Sequence, residues 1–180
     1  MQGTYKTEKG CTTQSRSMRT KDETSEETGA GAGSRTGSGG ESAPVRFDTK
    51  IAVVLRDDLE LWQRLNVTAF LVSGLGTASP EVIGELYADA DGTVYLPMFR
   101  QPVLVFEGTK ETLTAAHGRA LSRSLPRAVF TSDLFSTGND RDNRAAVRAV
   151  GKDQLDLVGI AVYGPRNAVD KVLKGTRMHP

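Results

Sequence analysis

Two short polar runs follow the most apolar stretches of the chain and carry the residue types that chemistry needs. Arg56-Asp57-Asp58 stops the run IAVVL, and Thr131-Ser132-Asp133 closes the run RAVF. A guanidinium can donate to an oxyanion, phosphate or carboxylate, and a carboxylate can take a proton. Arg56 and Asp133 are therefore the candidate catalytic donor and base. Asp57, Asp58, Thr131 and Ser132 complete the candidate ligand set, because ligands of open α/β sheets sit beyond the carboxyl ends of strands. Asn66 joins them as a polar residue in an increasingly apolar segment. It reads either as a buried amide bonded to backbone or as a group aimed at a ligand. Asp57 has an equally plain structural use as a helix cap.

Other chemistries find no footing. His117 and His179 are the only histidines and Cys11 the only cysteine, with no partner at ligand spacing, so neither a zinc site nor a catalytic triad is expected. The glycines of 29–42 follow no strand and lead into no Lys-Ser/Thr pair, which argues against a phosphate loop. Asp89 and Asp91 with Gly92 read as a plain turn, because the later oxygen ligands of a calcium loop are missing. No cofactor is expected.

The elements that must position these residues follow from periodicity. Residues 51–55 are unbroken and apolar, as in a strand buried on both faces. Leu61, Leu65, Ala69 and Val72 then fall at steps of four and three, predicting a helix with Asp57 as N-cap and Glu60 completing the box. Its second half, 67–72, is apolar nearly all round and is expected to be mostly buried. Residues 82–87 and 93–97 flank a turn at Asp91-Gly92 and predict a hairpin. Strands are expected at 102–106, 127–131 and 155–162. A helix is expected over 109–124, capped by Thr109, with Leu113, Ala116 and Ala120 inward. Residues 135–143 read as a polar loop leading into a short helix over 144–150. Gly164-Pro165 opens a last helix, with Pro at its first position, and Gly175 closes it. Alternating strands and helices predict an α/β domain in three layers, with a mixed, mostly parallel sheet of four to six strands. The hairpin is the expected source of the mixing.

The 180 residues suffice for one core. Residues 1–45, rich in Gly, Ser and Thr, are expected to form a disordered tail, and 46–180 a single α/β domain. The tail lacks the apolar region of a secretory signal, no run is long enough for a membrane helix, and a lone cysteine forms no internal disulfide. These features suit a cytoplasmic protein without membrane contact. Residues 46–180 hold 17 basic and 16 acidic side chains, a balance that speaks against nucleic acid as the main partner.

The stretches FDTKIAVV, LNVTAF, YLPM, QPVLVF, LDLVGIA and GPRNAVDKVLKG resemble a mostly bacterial family catalogued as domain of unknown function two thousand. The resemblance spans 47–180. More distantly, KIAVVLRDDL and the close Gly164-Pro165 with Asp170-Lys171-Val172 resemble the type II peptidyl-tRNA hydrolases. That likeness implies their fold and a possible homodimer. It does not carry their chemistry, because their Gly-Lys-x-Ala-Ala-Gln run and nearby His are replaced by WQRLNVTAFLVSG. The expectation is a ligand-binding or regulatory module for a small molecule or protein. The alternative is a hydrolase of peptidyl-tRNA-like esters or amides.

Overall fold

The computed structural model describes residues 45–180, so the expected tail, except its last residue, lies outside the described residues, Cys11 included. Strand β1 (Thr49–Arg56) runs through the middle of a five-stranded sheet. Its β-branched run serves two cores, since alternate side chains of a strand leave on opposite faces. Ile51, Val53 and Leu55 enter one core, with Val67, Leu71 and Leu75 of helix α1 (Leu61–Ala78). Ala52 and Val54 enter the other, with Leu113, Ala116 and Ala120 of α2 (Lys110–Ser122) and Val169 and Val172 of α4 (Arg166–Val172). Helices therefore pack on both faces.

The remaining strands are β4 (Val103–Gly108), β5 (Arg127–Thr131), β6 (Leu157–Pro165) and β7 (Arg177–Met178), in the order β5-β6-β1-β4-β7. The sheet is mixed and five-stranded, but it is mostly antiparallel where a mostly parallel one is expected. Only β1 and β4 pair in parallel; β6 runs against both β1 and β5, and β7 against β4. The reason lies between β5 and β6. A parallel return needs a crossover helix that covers the sheet, and α3 (Asp140–Arg148) buries none of its residues. The chain simply turns back. Helix α3 also starts earlier than the expected 144, because Asn139 caps it by accepting from the Asp142 amide.

The hairpin forms between β2 (Tyr87–Ala88) and β3 (Val94–Tyr95) as a separate two-stranded sheet, so it is not what mixes the main sheet. Its turn is held by the Asp89 carboxylate, which accepts from the Asp91 and Thr93 amides and the Tyr95 hydroxyl. Thr109 caps α2 as expected, through the Thr112 amide. The N-cap of α1 is Glu60 and not Asp57, with the Glu60 amide donating to Gln63 Oε1 at 2.9 Å. Pro165 is likewise the N-cap of α4, one position before the expected one.

Helix α1 is also rotated from expectation. Its buried stripe is Val67, Leu71 and Leu75, whereas Leu61, Leu65 and Ala69 are exposed and Val72 is half-buried. The sheet dictates this choice. At Gly159, beside a register shift between β5 and β6, an added Cβ would lie 2.5 Å from Val67 Cγ1 and 2.9 Å from Leu71 Cδ1. The missing side chain makes a seat that Val67 and Leu71 fill, with Leu55 bordering it. No helix among the described residues is long and apolar enough to cross a membrane.

Candidate functional site

Strands β1, β4 and β5 share a direction, so their carboxyl ends meet at one end of the sheet, with the start of antiparallel β6. There Arg56 is largely buried, its side chain 16% exposed. Its Nε donates to Asp58 Oδ1 at 2.7 Å and its Nη1 to Asp156 Oδ1 at 3.0 Å. Lys110, just after β4, places Nζ 2.7 Å from the same Asp156 oxygen. The Ser132 amide donates to the Asp156 carbonyl at 2.9 Å. Lys110, then Ser132, then the Arg56 charge hold the Asp156 carboxyl below the usual carboxylate range. Arg56, Asp58 and Ser132 thus come together around Asp156 and Lys110, two residues not among the candidates.

The other candidates part company. Asp57 enters through its backbone, its carbonyl accepting from Arg64 Nη2 at 2.6 Å. Arg64 also bonds Glu107, a side chain that Arg177 reaches from β7, so this network ties α1 to the sheet's edge. Thr131 is buried, 1% exposed, and its hydroxyl finds no hydrogen-bond partner among the described residues. Asp133 is exposed in the 3-10 turn Ser132–Ser136 and joins neither the ion cluster nor the pocket described next. Among the described residues no hydrogen bond or ion pair links Arg56 to Asp133; the bonds of Arg56 go to Asp58, Asp156 and the Leu157 carbonyl.

Asn66 is exposed, which overturns its reading as a buried amide. It lines a pocket of about 350 Å3 between α1, the end of β5, the Ser132–Ser136 turn and the start of α3. Trp62, Phe70, Phe130 and Phe135 supply the walls. The rings brace one another: Trp62 meets Phe135 edge-on at 5.7 Å, Phe70 meets Phe130 at 5.8 Å, and Phe130 meets Phe135 at 5.2 Å. On the polar side, Asn139 is committed to its cap, and Thr137 bonds Asn143. Trp62, Asn66 and Phe70 stand at four-residue steps, one stripe of α1. That spacing is visible in the sequence, where it could have pointed to this pocket. No group of three or more His, Cys, Asp or Glu side chains suited to a metal occurs among the described residues.

An α/β domain with a charged strand-end cluster beside an aromatic pocket describes a class, and comparison gives the family. Residues 49–180 match the family described as protein of unknown function (DUF2000), and the chain belongs to it. It is similar to a solved structure, the protein of unknown function Atu0240 from Agrobacterium tumefaciens strain C58. The two share 44% identity and a TM-score of 0.72, over 75% of this chain and 100% of that one. No curated protein matches.

Proposed function

We propose that this domain is a small-molecule-binding module whose site is the pocket around Asn66. The observation that carries the reading is that four aromatic rings line one pocket with a side-chain amide that makes no hydrogen bond to the described residues. Braced ring faces offer stacking surface, and the amide offers one acceptor and two donors to a ligand's edge. The volume falls in the range of ligand pockets. A planar aromatic or heteroaromatic molecule with hydrogen-bonding groups along one edge fits both features.

The proton inventory favours binding over hydrolysis. An amide moves no proton; the carboxylate that lines the pocket, Asp140, is ion-paired with Arg144 at 3.0 Å; and Asp156 is held ionised between two cations, which makes it a weak base at neutral pH. The ion cluster serves instead to fix Ser132, and with it the turn that carries Phe135. Trp62 is the only tryptophan of the chain, so its emission reports this site alone. A panel of nucleosides and flavins is titrated against the full chain. Saturable quenching is expected for at least one member, with added stability of about 2.7 kcal/mol at a hundred times its dissociation constant. If no planar compound changes Trp62 emission while a non-planar metabolite raises the melting point, the site lies elsewhere.

A further inference from the structure

The hydrogen-bond ladder of the main sheet stops at β5. That strand is last in the order, with β6 as its one strand partner among the described residues. Antiparallel pairing alternates between residues that exchange bonds and residues that do not. The Tyr163 amide donates to the Pro126 carbonyl at 3.1 Å, so 126, 128 and 130 turn their backbone groups toward β6. Arg127 and Val129 therefore turn their amides and carbonyls outward. Among the described residues these four groups meet no backbone partner. Sheet edges are commonly closed by proline, by charge or by a covering helix. Here Arg127–Thr131 holds no proline, and α3 buries none of its residues and does not seal the edge. The guard that remains is Arg127, a charge that admits acidic partners.

Beside this edge, between Val129 and α3, lies a cleft of about 390 Å3 that Leu134, Val147, Arg144 and Arg148 also line. Its carboxylate, Asp140, is paired with Arg144 at 3.0 Å. The sign of the charge holds when every neighbour along the chain is counted. Residues 123–153 carry six basic and four acidic side chains. Arg141 pairs with Asp142 and Lys152 with Asp153, whereas Arg123, Arg127 and Arg148 have no carboxylate partner among the described residues. The geometry points to an extended acidic peptide of a partner protein as the occupant: its backbone pairs with Arg127 and Val129 as a sixth strand, and its side chains reach the cleft. Strand addition takes its affinity from backbone bonds and its specificity from alternate side chains. Arg127 and Val129 stand two apart and share a face. The fitting segment therefore sets an apolar residue against Val129 and an acidic one, two places along, against Arg127. Arg148 takes a further carboxylate.

The test titrates the full chain into a fluorescein-labelled peptide, Glu-Thr-Val-Thr-Glu-Thr-Val, and reads anisotropy. Saturable binding is expected with a dissociation constant below about 1 mM. Replacing each Glu of the peptide by Lys, or Arg148→Glu in the protein, is expected to weaken it about tenfold or more. Backbone pairing is tested with two further peptides, N-methylated on one or the other alternate set of amides. A bound strand aims one set at β5 and the other at solvent, so one peptide loses binding and the other keeps it. Val129→Pro removes an outward amide at an edge position that admits proline, and binding is expected to fall about tenfold. Circular dichroism checks its fold, and where that fails the N-methylated pair makes the same test on the unaltered protein. No binding at 1 mM on the scale given above overturns the proposal. Equal loss or equal retention with both N-methylated peptides, or indifference to charge reversal, also overturns it. Sedimentation of the chain alone addresses the other occupant: a dimer that Val129→Pro dissociates gives the edge to a second copy and overturns the proposal.

Discussion

Asn66 lies between Trp62 and Phe70 on a stripe of α1 that fills no core, with its amide open to solvent. Replacing it with Leu removes the ligand's hydrogen-bond partners and leaves no buried group unpaired. Asn66→Leu is therefore expected to abolish quenching of Trp62 while changing stability by no more than about 0.5 kcal/mol. A loss of 1–3 kcal/mol, about the cost of orphaning buried partners, would return Asn66 to a structural role. How far such residues were legible depended on the strand direction assumed. Arg56, Asp58 and Ser132 follow strands, and the strand-end rule selects them as candidates. Asp156 precedes β6, and in the parallel sheet that was expected it would lie at the opposite end. Because β6 runs antiparallel, the start of that strand stands beside the ends of β1 and β5.

At the scale of the element, the strands and helices were legible in place and less so in orientation. The 51–55 run and the Thr109 cap announce themselves through local chemistry. Which face of α1 goes inward is decided by a distant partner, Gly159, whose bare backbone seats Val67 and Leu71. Apolar residues occur on every side of α1, so periodicity alone cannot choose among its stripes. The direction of β6 was hidden for a similar reason, since a strand buried on both faces reads the same either way. Gly159→Ala tests the seat. Overpacking is expected to cost about 1–3 kcal/mol in chemical denaturation. Adding Val67→Ala should give back part of that loss, because the two sites share one space. Strictly additive losses would mean that α1 shifts aside and does not depend on the seat.

For the whole molecule, the composition of 1–45 offers a core almost nothing to bury, so a chain starting at Arg46 is expected to melt with the full chain. A drop of more than about two degrees would be felt only if the tail contributed on the order of half a kcal/mol. Acid is expected to act on the domain in two stages. Burial, then the charge of Arg127, pushes the His117 imidazole below its ordinary 6.5. Asp89, Glu107, Glu111 and Asp156 are all pushed below the usual carboxylate range, chiefly by bonds to Tyr95, Arg64, Thr109 and Lys110. For every one of these groups the unfolded chain binds a proton more readily than the folded chain, so stability rises with pH through each window. Read downward, the His117 share is lost first, as pH falls through 6.5, and the carboxylate share follows below about 4.5. Melting temperature measured from pH 8 to pH 3 should show a shallow step and then a steep one. His117→Gln should erase only the first step, because Gln keeps the buried volume and takes up no proton. A wild-type profile that stays flat between pH 7 and pH 5 would mean that His117 charges freely in the folded state, against its 7% exposure.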